Sequence, residues 1–200
     1  MSINLTKGQK INLVKENGTG LTELMVGLGW DPVKRTGFGL FSSHENIDCD
    51  ASVLVGNERG LMNREPVIYF GHLKGYDGAI QHKGDNLTGD GDGDDEQIYI
   101  DLARLPEEVT KLMLVVNIYS ARARKQDFGM IENAFVRVVD NLTGKEFCRY
   151  NLSNGAYNGK TALIVGEIYK HNGVWKFNAV GNGTTDGSIS ELKERFGNLS

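Results

Sequence analysis

Gly84-Asp85-Asn86-Leu87-Thr88-Gly89-Asp90-Gly91-Asp92-Gly93-Asp94-Asp95-Glu96 runs without a break into Gln97-Ile98-Tyr99-Ile100-Asp101-Leu102. That junction decides the fold class. Counted as an EF-hand loop from Asp90, the sixth position should be Gly and is Asp95, and the twelfth should be Glu and is Asp101. Nor does a helix follow. Ile98, Ile100 and Leu102 alternate with Gln97, Tyr99 and Asp101, which is the period of a strand. A β-helix of the RTX type would repeat the Gly-Asp pattern many times, and here it occurs once.

The loop itself gathers Asp85, Asp90, Asp92, Asp94, Asp95 and Glu96, with only Lys83 close by to balance them. Like charges about 6 Å apart repel by roughly 3 kcal/mol per pair at an effective dielectric near 20. Glycines allow left-handed backbone that turns carbonyl oxygens inward. Carboxylates, the Asn86 amide, the Thr88 hydroxyl and such carbonyls are hard oxygen donors, and hard oxygen donors suit Ca²⁺. A solvated acidic loop and a Gly/Asp-rich linker are the plain alternatives. The regular alternation and the well-patterned strand behind it favour a cation.

Composition bounds the rest. A chain of 200 residues suits one domain, 1–200, with a sizeable core. A formal net charge of −4 gives no reason to expect nucleic acid, and the one basic cluster, Arg122-Ala123-Arg124-Lys125, reads as a solvated turn. Met1-Ser2-Ile3-Asn4-Leu5 lacks the pattern of a signal peptide. No apolar run approaches the roughly 20 residues that span a bilayer, so a cytoplasmic location without membrane insertion is expected. Cys49 and Cys148 form no CxxC motif and are expected to be reduced and structural.

Working outward from the loop, Leu24, Met25, Val26, Leu28 and Trp30 make a strand that ends at Asp31-Pro32. Residues 31–46 read as a loop, and 48–55 as a buried strand whose start carries Asp48 and Asp50. Upstream, Ile3 and Leu5 followed by Ile11 and Leu13 suggest a hairpin about Lys7-Gly8. Downstream, Leu105–Val109 is a single turn, and Lys111–Tyr119, apolar on both faces, is a central strand. Strands follow over 133–140, 147–152, 161–169 and 174–180, the last pair joined tightly at His171-Asn172-Gly173. Ser188 with Glu191 is a capping box, and Ile189, Leu192 and Phe196 share one helical face over about 188–197. Short strands separated by Gly and Asn turns, then one helix, predict an all-β, two-layer sandwich of short antiparallel strands. A barrel is the alternative that periodicity leaves open.

With these residues assembled, the chain resembles the TerD family of tellurium-resistance and stress-response proteins almost end to end. The resemblance rests on Gly27-Leu-Gly-Trp-Asp31, Asp48-Cys-Asp-Ala-Ser52, Gly84-Asp-Asn-Leu-Thr-Gly89 with Gly93-Asp-Asp-Glu96, Asn133-Ala-Phe-Val-Arg137, and Gly166-Glu-Ile-Tyr169 with Gly173-Val-Trp-Lys-Phe177. It implies a β-sandwich that binds two Ca²⁺ ions through the acidic loop and its neighbours. Carried onto this chain, the ligands are Asp31, Asp48, Asp85, Asn86, Leu87, Thr88, Gly89, Asp92, Asp94, Asp95 and Glu96. Asp50, if it lies in a strand, would share the side of Asp48. Cys49 stands where an apolar residue is usual. Other tellurium-resistance proteins, a membrane-bound one among them, are the partners the resemblance points to.

The expected function is therefore that of a non-catalytic calcium-binding protein. A metal-dependent hydrolase is the first alternative, but the chain shows no nucleophile elbow, zinc-protease helix or phosphate loop. A calcium-dependent lectin-like sandwich is the second. It would use Trp30 and Trp175 as platforms, although Trp alternating in strands more commonly packs in a core.

Overall fold

The computed structural model describes residues 2–32, 47–84, 93–152 and 155–197. Within them the strands are β1 (Ile3–Leu5), β2 (Lys10–Asn12), β3 (Glu23–Pro32), β4 (Cys49–Asn57), β5 (Gly60–Leu61), β6 (Val67–Ile68) and β7 (Lys74–Gly75). They continue as β8 (Ile80–His82), β9 (Glu96–Asp101), β10 (Lys111–Ile118), β11 (Ile131–Asp140), β12 (Lys145–Asn151), β13 (Ala162–His171) and β14 (Val174–Thr184). Two α-helices accompany them, the single turn α1 (Ala121–Arg124) and the C-terminal α2 (Ile189–Gly197), with one turn of 3-10 helix at Phe128–Met130.

The strands form two sheets that pack face to face, so the sandwich is the outcome and not the barrel. The first sheet runs β1-β12-β11-β3-β9-β8-β7, and the second β2-β14-β13-β10-β4-β5 with β6 also on β4. Between them lies one core. Leu24, Val26, Leu28 and Trp30 of β3 meet Leu112, Leu114, Val116 and Ile118 of β10 there. Trp30 is buried and Trp175 packs against the same core, so neither offers an open platform.

The second face of β10 has its own cover. Leu54, Met113, Val115, Ala162 and Ile164 form a separate cluster on the outside of the second sheet, closed by Leu192 with Ile189 and Phe196 of α2. The helix starts where Ser188 Oγ accepts from Glu191 N at 3.2 Å, while the Glu191 carboxylate reaches back to Gly187 N at 3.1 Å. Asn172 (φ 50°) and Gly173 (φ 77°) both take left-handed backbone between β13 and β14, as a two-residue hairpin requires.

The amino terminus corrects the expected hairpin. β1 and β2 do not pair with each other. β1 runs parallel to β12, Ile3 opposite Cys148, and β2 lies antiparallel on β14, Ile11 opposite Phe177. Gly8 N donates to Ala179 O at 2.6 Å, so the Lys7-Gly8 turn is held by the second sheet and carries the chain from one layer to the other. Each short strand gains a longer partner this way, which an isolated three-residue hairpin could not supply. Leu105–Val109 is a single turn closed by Val109 N to Pro106 O at 3.0 Å.

Candidate metal centre

The acidic loop leaves and re-enters the first sheet at one end. β8 and β9 are antiparallel neighbours, with His82 opposite Ile98 and Lys83 N donating to Gln97 O at 3.0 Å, so Gly84 and Gly93 flank the loop at that end. β3 lies on the other side of β9, Leu28 opposite Glu96, and brings Trp30 and Asp31 there. β4 belongs to the opposite sheet, yet its start reaches the same end, because Ala51 N donates to Glu96 Oε2 at 2.7 Å. Asp31, Asp48, Asp94, Asp95 and Glu96 therefore come from three strand ends to one rim of the sandwich. Asp85, Asn86, Leu87, Thr88, Gly89 and Asp92 lie outside the described residues.

Each described carboxylate sits differently. Asp31 Oδ2 accepts from Asn133 Nδ2 at 2.8 Å. Asn133 has φ 55° and stands in a bulge where β11 slips against β3 between Glu132 and Phe135. Bulges commonly re-aim side chains next to sites. Asp48 lies 4.0 Å from Arg124 Nη1, and its main-chain oxygen accepts from Tyr119 N at 2.8 Å. Asp95 Oδ2 accepts from Trp30 N at 2.8 Å while Asp95 N donates to Leu28 O at 2.8 Å, which fixes that residue along the end of β3. Asp50 is buried with Asn117 Nδ2 at 3.3 Å, on the face of β4 opposite Cys49.

Glu96 faces inward. Its side chain and that of His82 are both fully shielded, with His82 Nε2 3.3 Å from Glu96 Oε2. His82 Nδ1 accepts from Gly84 N at 3.1 Å, so the ring hydrogen belongs on Nε2, toward Glu96. His82 was not among the expected site residues. The only signal for it was its place two residues before the loop, since His is a poor Ca²⁺ ligand.

Asp94 faces outward, onto the solvent side of the first sheet. Arg137 Nε donates to its Oδ1 at 2.7 Å and Arg137 Nη2 to its Oδ2 at 2.9 Å, and Gln97 Nε2 adds 3.1 Å to Oδ2. Gly27 makes this possible, because a Cβ there would stand 2.3 Å from the Asp94 carboxyl carbon. A Cβ on Gly29 would stand 2.7 Å from Gly93 O. Two absent side chains on β3 thus form the bed in which residues 93–94 lie. Arg137 closes the motif Asn133–Arg137 on which the resemblance rests, but the sequence reading gave it no role; its place directly across from Gly27 in the β3–β11 register is what reveals one.

The rim is strongly negative. Burial pushes the Cys49 thiol well above its ordinary value, and Asp50, Glu96, Asp48 and Asp95, in that order, push it further. A cavity of about 600 Å³ opens beside them, lined in part by Asp31, Gly93, Asp95, Asn133 and Asn151. Among the described residues no three His, Cys, Asp or Glu side chains close on a common point. The side chains that line the rim offer oxygen donors, a type that suits a hard divalent cation, and His82 and Cys49 are buried.

Four segments that meet here, residues 27–31, 48–52, 93–96 and 133–137, are among those on which the resemblance rests. The TerD domain family model matches residues 1–196.

The chain belongs to the TerD family.

Among its relatives, the stress response protein SCP2 of Bacillus subtilis is 52% identical over 201 residues, covering 98% of this chain and 100% of the relative. The tellurium resistance protein TerD of Serratia marcescens is 40% identical over 191 residues, 95% of each. In structure the chain is similar to a Streptomyces coelicolor homologue of the telluride resistance protein TerD, with a TM-score of 0.67 and 22% identity over 88% of this chain and 98% of that one. That likeness supports the TerD sandwich as the fold. Among the described residues no helix is long and apolar enough to cross a membrane.

Proposed function

We propose that this TerD family chain is a non-catalytic calcium-binding protein acting in stress and tellurite resistance, and that it works in the cytoplasm beside other resistance proteins. The observation that carries the calcium reading is that Asp31 and Asp95, from different strand ends, line one cavity at the rim where residues 84 and 93 flank the acidic loop, with Asp48 at the same end of the sandwich. Asp85, Asn86, Leu87, Thr88, Gly89 and Asp92 would complete the ligand set. Bound Ca²⁺ supplies positive charge that offsets the carboxylate repulsion. The chain supplies everything else: β3, β4 and β9 hold the donors at one rim, Trp30 N orients Asp95, and Asn133 orients Asp31.

Catalysis is disfavoured by the groups that would perform it. Cys49 and Cys148 are both buried free thiols, with the Cys148 thiol pushed up to about 12 mainly by burial, so neither is a ready nucleophile. The imidazole of His82 is sealed against Glu96.

Titration calorimetry of the chelator-treated protein tests the reading. Two Ca²⁺ ions should bind, well above Mg²⁺ in affinity, because an oxygen-rich loop adapts to the larger ion. Absence of heat, or equal affinity for the two ions, would sink it.

A further inference from the structure

Asp94 and Asp95 are adjacent, but they serve different partners. Asp95 is bound to the end of β3. Asp94 is turned to the outer face of the first sheet, its side chain fully buried, and both of its oxygens are occupied by donors from that face. A planar, two-bond Arg–carboxylate pair is geometrically demanding and stronger than a single contact. The bed left by Gly27 and Gly29 is filled by this segment, since a Cβ on Gly27 would meet the Asp94 carboxylate and one on Gly29 would meet Gly93 O. Arg137 itself is set by β11, and Glu146 Oε2 braces its Nη1 at 3.4 Å.

We propose that Asp94 and Arg137 form a latch that fixes the downstream end of the acidic loop. Asp94 is then the loop's anchor and not an ion ligand, and Arg137 is a positioning residue for calcium binding. The second half of this statement rests on the calcium reading above. The latch holds residues 93–94 against β3 before any ion arrives, so that Asp95 is presented to the rim in a fixed place. The loss of an outer partner that orients a ligand typically costs about 10- to 100-fold in metal affinity.

The charge of Arg137 makes the test discriminating. By Coulomb's law alone, removing a cation near a cation site tightens calcium binding. Loss of a positioning residue weakens it. Calorimetry with Ca²⁺ on Asp94→Asn and Arg137→Met should give binding about 10-fold weaker in both, with stoichiometry unchanged. Arg137→Lys, which keeps the charge but not the two-bond geometry, should restore it in part. In parallel, urea unfolding of the chelated protein should show that each single change destabilises and that the double change costs little more than either alone. Binding by Arg137→Met as tight as the parent or tighter, or loss of one ion in Asp94→Asn, would overturn the assignment. Additive effects in the chelated protein would show that there is no latch. If the parent protein bound no calcium, the calcium reading would fall and the positioning role with it, while the unfolding cycle would still decide the latch on its own.

Discussion

The Asp95 carboxylate accepts from Trp30 N at the rim, and the residue is half-buried there. Asp95→Asn should therefore lower calcium affinity and reduce the rise in melting temperature that calcium produces, by mass action. Glu107→Gln with Glu108→Gln, on an exposed turn, should change neither. Equal effects of the two would mean bulk charge and not ligation. The thiols make a second prediction at this scale. Both are buried, and their folded values lie above the ordinary 9.0, so the folded state keeps protons that the unfolded chain would release. That stabilisation is complete below pH 9.0 and is lost as pH climbs toward the folded values. Urea midpoints should fall progressively between about pH 9 and 12, with Tyr76, raised to about 12 first by burial and then by Glu65, adding to the loss. Thiol reagents at pH 8 should leave both cysteines unmodified until the protein is unfolded. A flat stability profile, or rapid native labelling, would contradict this. The acidic stretch beside the rim stood out by residue type, while Asp31 and Asp48 were singled out only through the family resemblance. His82 and Arg137 were legible in neither way, because each owes its role to a partner that only strand register brings close.

At the scale of elements, β10 shows what periodicity gives and what it withholds. Its apolar residues on both faces marked a central strand, which it is, between β4 and β13. The pattern did not say what covered the second face, and the cover is α2. Leu192 is fully buried against that face. Leu192→Ala should cost about 2–5 kcal/mol, measured by urea unfolding, since it removes a large side chain from a closed cluster. Arg122 holds Glu191 through two bonds of 2.8 and 2.7 Å, but it is exposed, and Arg122→Ala should cost far less than Leu192→Ala. A reversal of that order would mean that α2 is fastened by charge. The misread element was the first one. Ile3, Leu5, Ile11 and Leu13 alternate as a hairpin would, and alternation carries no information about which sheet a strand joins. Two short strands at a chain end take whichever exposed edge lies within reach, and here β12 and β14 offered longer ones.

For the whole molecule, the core and the rim are separable. Leu24 through Trp30 and Leu112 through Ile118 bury a continuous apolar interior that, among the described residues, includes none of the acidic stretch before Glu96. Chelation should therefore quicken hydrogen exchange around residues 31, 48 and 93–96 and leave β10 nearly unchanged, measured with and without chelator. Global loss of protection would make calcium part of the core's stability. The crossing amino terminus has a consequence of another kind, one of timing. Residues 3–12 are synthesised long before their partners, residues 148–150 and 176–178. Neither β1 nor β2 can take its place until those later strands exist. Closing so long a loop is also the slowest kind of contact to form. Nascent chains halted before residue 174 should thus leave β2 unpaired, and protease protection of residues 10–12 should appear only once residues 176–178 have emerged, later than that of residues 3–5. Strands made early in this chain are paired late.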